Sequence, residues 1–323
     1  MSERINPCIH RISLGVTPPS SSECVVALGF FDGVHIGHAA LLRAAEEEAQ
    51  QKGLAFAVFT FSDCGDGTYK SGAPRLTEWA ERMELFRSFG VDYVYAAEFS
   101  SLKMLSPREF VFDILSARLH ARAAFCGFNF RFGAKAAGNT DDLVRLMEEA
   151  GGTAFVLPAM TMNGEAVSST AVRCALEEGD LFKANAMLGR PFSINFPVIH
   201  GKMLGRTIGV PTINQSFPDG FVVPKHGVYA CLCTVDGVPH AAVSNVGVRP
   251  TVENNMNVNC ESHILDFDGW LYGRRVQITF LHFLREERRF SSLDDLVSQI
   301  HLDVAEARRI LSTPATEIPT SQA

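Results

Sequence analysis

The chain has 323 residues, of which 46% are hydrophobic and 20% charged, and its formal net charge is −7. This length is sufficient for two hydrophobic cores, and the composition is typical of a globular protein. The acidic balance argues against a protein that binds nucleic acid, which requires a basic face, but permits a small nucleotide, because a phosphate site needs only local amides and a few cations.

The eight cysteines include no C-x-x-C pair, and we interpret them as reduced, buried thiols. The N-terminal segment Met1–Gly15 lacks the continuous apolar stretch of a signal peptide, and no apolar run is long enough to span a bilayer. We therefore expect a cytoplasmic protein without a membrane partner.

The first half of the chain alternates strand-like and helix-like segments. Strands are predicted at Cys24–Leu28, Leu54–Phe61, Val91–Tyr95, Ala123–Cys126 and Ala154–Leu157, and helices at about Ala39–Gln51, Thr77–Phe89 and Asp141–Ala150. A further helix begins at Ser106-Pro107-Arg108-Glu109, which combines a capping serine, a proline at the first helical position and the glutamate of a capping box. This rhythm predicts βαβ units with right-handed crossovers and a parallel sheet.

The pattern changes after a helical stretch from Ser169 to about Leu188, which is interrupted at Gly179-Asp180. Short alternating strands follow at Phe196–His200, Gly227–Thr234, His240–Val246, Cys260–Leu265 and Arg275–Phe283, and then an amphipathic helix at Ser291–Leu311. This half predicts a compact antiparallel barrel or sandwich with a terminal helix. We expect domains at residues 1–188 and 189–312, and a disordered Pro/Thr/Ser-rich tail at 313–323.

A segment rich in glycine and histidine, Gly29 to His38, follows the first predicted strand and opens the first predicted helix; its sequence is GFFDGVHIGH. Free amides and the helix dipole favour an anion there, and Gly33 and Gly37 permit a close backbone approach. His35 and His38 are three residues apart, so both rings can face the same phosphates and stabilise charge during nucleotidyl transfer. Histidines at a helix start can also be simple caps, but the position after a strand favours a nucleotide site. Nucleotidyltransferases and class I aminoacyl-tRNA synthetases share this pattern.

Two later segments discriminate between these classes. The first, GFNFRFG at Gly127–Gly133, follows a predicted strand, and the second, SSTAVR at Ser168–Arg173, opens a helix. Hydroxyls, helix amides and an arginine one turn later suit a triphosphate, although a simple helix cap explains the second segment equally well.

Together the three segments resemble the adenylyltransferase module of the prokaryotic bifunctional riboflavin kinase/FAD synthetase family, which has G-x-F-D-G-x-H-x-G-H, G-x-[ND]-F-x-F-G and S-S-T-x-x-R in this order. The resemblance implies an N-terminal Rossmann-like nucleotidyltransferase domain in which His35 and His38 bind and polarise the phosphates of ATP. It implies further ATP contacts at Gly29, Phe31, Asp32, Gly33, Gly37, Asn129, Ser169, Thr170 and Arg173. No loop like the Lys-Met-Ser-Lys-Ser loop of the synthetases is present.

The chain departs from the family pattern at two places. Phe30 stands where the family usually has asparagine, and the second strand ends in Thr60-Phe61-Ser62-Asp63-Cys64-Gly65 where the family has T-F-D-P-[HN]-P. Two prolines that fix φ are thereby lost, so we expect an altered rate or substrate fit in FMN adenylylation.

The second strong segment is GRTIGVPTIN, from Gly205 to Asn214. Its glycines suit a loop that closes over phosphates, and the oxygens of Thr212 and Asn214 alternate on an extended chain, so both can point at one Mg²⁺. A Gly/Pro turn between strands explains any single fragment of this segment.

The segment matches every fixed position of G-R-x-x-G-x-P-T-x-N in the flavokinase module of the same family. Further matches follow in order at Gly227–Ala230, Asn245–Thr251, Glu261–Gly269, Leu271–Gly273 and Phe283–Phe290, so that the resemblance covers about Val25 to Leu311. It implies a small antiparallel β-barrel, with Glu261 as the general base toward the ribityl 5′-hydroxyl of riboflavin. Thr212 and Asn214 would ligate Mg²⁺, ATP would contact Gly205, Arg206 and Gly209, and Arg285 would contact flavin unless it is a solvated surface arginine.

We therefore expect a bifunctional enzyme that uses ATP and Mg²⁺ to convert riboflavin to FMN and FMN to FAD. A riboflavin kinase with a degenerate N-terminal domain and a non-catalytic flavin sensor are the alternatives, and a tRNA synthetase is a remote one. Glu261, Thr212 and Asn214 occur together, which argues against the sensor because binding alone needs no base.

Overall fold

The computed structural model describes residues 7–12, 22–62, 72–98, 102–201, 205, 208–250 and 256–312. The chain folds into two compact units, Met1–Ser169 and Thr170–Ala323. The predicted tail, Arg206 and the loop residues Asp63–Gly65 lie outside the described residues.

The first unit is built on a six-stranded parallel sheet in the order β1-β4-β3-β2-β5-β6. Apolar side chains cover both of its faces, and the central strand β2 is buried along its whole length, which explains its continuous apolar sequence. The predicted α/β architecture is confirmed. The strands are β1 (Cys8–Ile12), β2 (Cys24–Leu28), β3 (Ala55–Phe61), β4 (Tyr93–Ala97), β5 (Ala121–Gly127) and β6 (Thr153–Leu157).

The strand order reverses between β2 and β5, the point at which open parallel sheets form a crevice outside their carboxyl ends. Helix α1 (Ile36–Lys52) begins eight residues after β2 ends, so its N-terminus faces this crevice. The other α-helices described in the unit are α2 (Trp79–Ser88), α3 (Pro107–Glu109) and α4 (Thr140–Glu149). Helix α3 continues as a π-helix (Phe110–Ser116), and a 3₁₀ turn (Ala134–Ala136) precedes α4.

Capping boxes mark two helix starts, of which the sequence predicted the one at Ser106. Ser106 and Glu109 form a reciprocal capping box at the start of α3, and Asn139 and Asp142 form another at α4. The π-helical continuation was not predicted. A short hairpin of β7 (Thr161–Met162) and β8 (Glu165–Ala166) was also missed.

The second unit is an antiparallel six-stranded sheet in the order β10-β13-β12-β11-β14-β9. A bridge between Ile199 and Asn214 joins its two ends, so the sheet is a nearly closed barrel, as predicted. Helices α5 (Ser169–Glu178) and α6 (Leu181–Leu188) precede it. The strands are β9 (Ser193–Pro197), β10 (Ile213–Ser216), β11 (Gly227–Val235), β12 (Val238–Pro250), β13 (Met256–Ile264) and β14 (Arg275–Arg285).

The terminal helix α7 (Leu293–Ser312) packs against the barrel through Ala307, which is fully buried with Val228, Ala230 and Val243. This confirms the predicted terminal amphipathic helix. Within the described ranges, no helix is both long and apolar enough to cross a membrane.

Candidate functional site

A strained turn joins β2 to α1 in the first unit. Phe31, Gly33 and Val34 all have positive φ, at +56°, +77° and +39°. This backbone region suits glycine but is unusual for a β-branched residue such as Val34. Such a conformation persists only where the surrounding structure imposes it, and it is common at functional sites.

His35 caps helix α1 with its side chain. Its Nδ1 accepts the backbone N–H of His38 at 3.2 Å, so in the neutral ring the proton lies on Nε2, which is then a donor. The rings of His35 and His38 stack with centroids 3.7 Å apart. A Cβ at Gly37 would lie 3.2 Å from the ring of His35, so this glycine gives the ring its space.

The surroundings of His38 favour its neutral form. Burial, followed by the neighbouring His35 and Arg82, lowers the pKa of His38 well below 6.5. Its Nδ1 is buried and lacks a hydrogen-bond partner among the described residues. The side chain therefore offers a phosphate a neutral hydrogen-bonding group rather than a cation.

The carboxylate of Asp32 is directed back into the protein. It accepts N–H bonds from Leu76 at 3.0 Å and Thr77 at 3.2 Å and the Thr77 hydroxyl at 3.2 Å, and the residue is 3% exposed. Its backbone oxygen accepts the hydroxyl of Ser169 at 2.9 Å. A predicted ATP contact, Ser169, is thus held against the turn that carries the histidines.

The remaining predicted nucleotide contacts of this site are Asn129, Thr170 and Arg173. Asn129 is exposed in the turn after β5, the strand adjacent to β2. Thr170 and Arg173 occupy the first turns of α5 after Ser169; Thr170 is exposed and Arg173 is half-buried.

In the second unit, strand register aligns three polar residues in a row across the barrel. On β13, Glu261 pairs with Asn214 of β10 on one side and with Asn245 of β12 on the other. Directly paired residues project from the same face of a sheet, so the carboxylate lies between two amides. Sequence reasoning identified Glu261 and Asn214 but not Asn245.

Asn245 extends this row to a second carboxylate. Its Nδ2 donates to Oε1 of Glu287 at 3.0 Å, and Gly247 makes room, because a Cβ there would lie 2.1 Å from the same oxygen. Neither Asn245 nor Glu287 was predicted as a site residue. The only signal was their place in the family-like segments Asn245–Thr251 and Phe283–Phe290.

A cavity of about 570 Å³ opens beside Thr212, large enough for a nucleotide. The loop before Thr212 is tight, since Gly205 accepts the N–H of Val210 at 2.8 Å and a Cβ on Gly205 would lie 2.2 Å from the oxygen of Val210. Gly209 is exposed with φ +75°. The cavity is lined by Val198, Pro211, Thr212, Ile213, Ser262, Ile264 and the segment 267–272.

Arg285 forms a bidentate ion pair with the buried Asp303 of α7, with Nε–Oδ1 at 2.9 Å and Nη2–Oδ2 at 2.7 Å. Its Nη1 donates to the backbone oxygen of Glu286 at 3.0 Å. The side chain is therefore used to anchor the terminal helix, and a flavin contact stays a prediction.

Comparison with known proteins gives a consistent result for both units. A family profile described as FAD synthetase matches residues 17–171, and one described as riboflavin kinase matches residues 188–311. The bifunctional riboflavin kinase/FMN adenylyltransferase of Escherichia coli K12 is 38% identical over 90% of this chain and 95% of its own length. The protein of the same name from Listeria monocytogenes is 35% identical over 88% of this chain and 91% of its own length.

The fold also has a counterpart among solved structures. A protein from Streptococcus pneumoniae described as a macrolide-efflux protein is 29% identical, with a TM-score of 0.83 over 93% of this chain and 98% of that one. The two chains therefore share their architecture along nearly their whole length.

Proposed function

This chain belongs to the bifunctional riboflavin kinase/FMN adenylyltransferase family, and we propose how its residues divide the two reactions. The chain phosphorylates riboflavin to FMN with ATP, and it adenylylates FMN to FAD with release of pyrophosphate. The observation that carries the proposal is that each compact unit contains one polar constellation: the His35–His38 helix start in the first and the Glu261 row in the second.

Glu261 is the general base of the kinase reaction. It accepts the proton of the ribityl 5′-hydroxyl while that oxygen attacks the γ-phosphorus of ATP, and ADP leaves. Asn214 and Asn245 flank this carboxylate on the two neighbouring strands, and the cavity beside Thr212 is the proposed place of the nucleotide. Positioning supplies most of the acceleration, as in phosphoryl transfer generally.

Thr212 and Asn214 fit a Mg²⁺ ion. Magnesium uses few protein oxygens and completes its shell with phosphates and water, and no cluster of three or more His, Cys, Asp or Glu suited to a metal occurs in the described segments. The amide of Asn214 is held in place, since a Cβ on Gly201 would lie 2.6 Å from its Nδ2. When bound, the ion would neutralise charge on the transferring phosphoryl group.

The adenylyl transfer needs no general base, because the phosphate oxygen of FMN is already a competent nucleophile. It attacks the α-phosphorus of ATP, and pyrophosphate leaves. The Nε2–H of His35, the neutral ring of His38 and the free amides of α1 stabilise the charge on the α-phosphate. Ser169, Thr170 and Arg173 hold the triphosphate, and Asn129 lies near the nucleotide.

We also propose that the functional domains divide at residues 188 and 189, so that α5 and α6 serve the adenylyltransferase. The FAD synthetase match ends at residue 171 and the riboflavin kinase match begins at residue 188, which supports a boundary between these residues, although the compact units divide earlier, after Ser169. We expect the enzyme to act in the cytoplasm, since its seven described cysteines are free thiols.

Two substitutions in the full chain test the assignment, with products separated by chromatography. Glu261→Gln should lower FMN formation from riboflavin by roughly 10²- to 10⁴-fold, the range of a lost general base, and still convert supplied FMN to FAD. His38→Gln should let FMN accumulate without FAD. Glu306→Gln, at an exposed carboxylate paired with Arg309, is the control. If Glu261→Gln retains normal kinase activity, the base lies elsewhere.

A further inference from the structure

The strained turn before α1 is held by a segment that the reactions above do not use. We call residues Leu76–Arg82 the support segment; it includes the start of α2. Three of its members, Leu76, Thr77 and Arg82, are at most 1% exposed, and two of these are polar. Burying polar groups is costly unless they are bonded, so their partners indicate what they do.

Thr77 bonds to both sides of the turn. Its Oγ1 donates to Oδ1 of Asp32 at 3.2 Å and accepts the backbone N–H of Gly33 at 3.2 Å. The Asp32 carboxylate in turn accepts the N–H of Thr77. These reciprocal bonds fix the two residues that separate Phe31 from Val34, where the backbone is strained.

Arg82 fixes the beginning of the same turn. It is fully buried, its Nη1 donates to the backbone oxygen of Phe30 at 2.9 Å, and its guanidinium lies 4.9 Å from the ring centroid of Trp79. The hydroxyl of Thr60 donates to the same oxygen at 3.0 Å. The carbonyl of Phe30 therefore has two buried donors.

The charge of Arg82 also acts on His38. Desolvation is the main cause that lowers the pKa of His38, and the charges of His35 and then of Arg82 lower it further. Arg82 thus combines two effects on one site, since it holds the turn in place and favours the neutral form of the histidine that the turn presents.

We propose that Thr77 and Arg82 are positioning residues for FMN adenylylation, which hold the turn so that His35 and His38 meet the phosphates of ATP. The proposal rests on the function proposed for these histidines. Thr77 and Arg82 act through the turn, and a displacement of about 1 Å at a reacting group can cost roughly 100-fold in rate.

The test measures FMN adenylylation and riboflavin phosphorylation in the full chain for Thr77→Val, Arg82→Met and Arg82→Lys. Thr77→Val and Arg82→Met should lower kcat for adenylylation by about 10- to 100-fold with KM for FMN nearly unchanged. Arg82→Lys, which keeps a cation and a donor, should recover part of the loss. Phosphorylation should be unchanged in all three.

Two matched controls separate this effect from general damage. Arg87→Met removes an exposed arginine of the same helix, paired with Glu84, and Thr153→Val removes an exposed hydroxyl on β6. Both should retain normal adenylylation. Thermal melting followed by Trp79 emission in a Trp270→Phe background gives the folded fraction of each variant, and a rate loss fully explained by unfolding would overturn the proposal.

A double-mutant cycle with His38→Gln identifies the route of the effect. If Arg82 and Thr77 act through the histidines, Arg82→Met and Thr77→Val should lower the residual rate of His38→Gln much less than that of the unmodified chain. If each double variant instead loses adenylylation rate by the product of its two single fold-losses, the inference is overturned. If His38→Gln itself leaves adenylylation intact, the proposed site is wrong; if it abolishes the rate while Thr77→Val and Arg82→Met do not lower it, only the positioning role is wrong.

Discussion

Gly201 shows how one missing side chain prepares a proposed metal ligand. A Cβ at this position would lie 2.6 Å from Nδ2 and 3.2 Å from Oδ1 of Asn214, and Asn214 is only 5% exposed. An added methyl group must therefore displace the amide, since little free volume surrounds a buried side chain. The missing side chain of Gly201 therefore makes room for the amide of Asn214, and this glycine is not needed for a positive φ in a turn.

We predict that Gly201→Ala raises the Mg²⁺ concentration needed for half-maximal FMN formation several-fold while the barrel stays folded. The measurement is the initial rate of riboflavin phosphorylation against Mg²⁺ concentration, with Trp270 emission as the folding check. Adenylylation by the first unit should be unchanged. An unaltered Mg²⁺ midpoint in a folded variant would remove Asn214 from the metal site.

At the residue scale, sequence reasoning identified the groups that belong to contiguous patterns. The ring of His35 accepts the N–H of His38, Ser169 donates to the turn at Asp32, and Glu261 pairs with Asn214 on the neighbouring strand. Their roles in the two reactions stay predictions. Partners distant in sequence were missed: Thr77 bonds to Asp32 across 45 residues, and Arg82 to Phe30 across 52. No local spacing predicts such contacts. Those missed partners are Asn245, Glu287, Thr77 and Arg82.

At the element scale, the terminal helix α7 is attached by a partly buried ion pair, in which Asp303 is the buried partner, as well as by apolar packing. Asp303 is 5% exposed and accepts Nε and Nη2 of Arg285, and Gln299 donates to it at 2.7 Å. Removing one partner of a buried pair leaves the other uncompensated, which costs more than the pair itself contributes.

We predict that Asp303→Asn lowers the free energy of unfolding of the second unit by about 3 kcal/mol. Arg308→Gln is the matched control, because Arg308 lies on the same helix as Asp303. Its ion pair with Asp266 is solvent-exposed and should contribute less than about 1 kcal/mol. Urea unfolding followed by Trp270 in a Trp79→Phe background measures both. Equal losses would show that burial does not strengthen the Arg285 pair.

Elements with a strong apolar pattern were predictable, whereas short edge strands with polar residues in their sequence were not. Long apolar runs mark strands β2 and β11, and an amphipathic pattern marks helix α1. Strand β1 has five residues and strand β10 has four, and both gain their stability from tertiary pairing at a sheet edge. The π-helix after Glu109 changes only the hydrogen-bond step, which leaves no mark in the capping sequence.

At the scale of the whole molecule, the two family profiles match different parts of the chain, residues 17–171 and 188–311, and each compact unit contains one of the two tryptophans. The change from an alternating α/β pattern to short strands predicted two domains with a boundary at residues 188 and 189, whereas the compact units divide after Ser169. The ordered motifs predicted both activities. The altered loop at Ser62–Gly65 lies almost wholly outside the described residues, so a changed rate of FMN adenylylation stays a prediction.

The lowered pKa of His38 should make the two units differ in their response to acid. Burial, His35 and Arg82 lower the pKa of His38 below 6.5 in the folded chain. As the pH falls through 6.5, the unfolded chain takes up a proton that the folded chain excludes. The free energy of unfolding therefore decreases as the pH falls below 6.5, by at most about 1.4 kcal/mol per pH unit.

We predict that the urea midpoint reported by Trp79 falls between pH 7.5 and 5.5 and that His38→Gln reduces this fall. The midpoint reported by Trp270 should have the same pH dependence in both proteins, because the substitution lies in the other unit. Trp270→Phe and Trp79→Phe backgrounds separate the two signals. If His38→Gln leaves the pH dependence of the Trp79 midpoint unchanged, then His38 is not held neutral by the fold. In that case the adenylyltransferase site presents a cation to the α-phosphate.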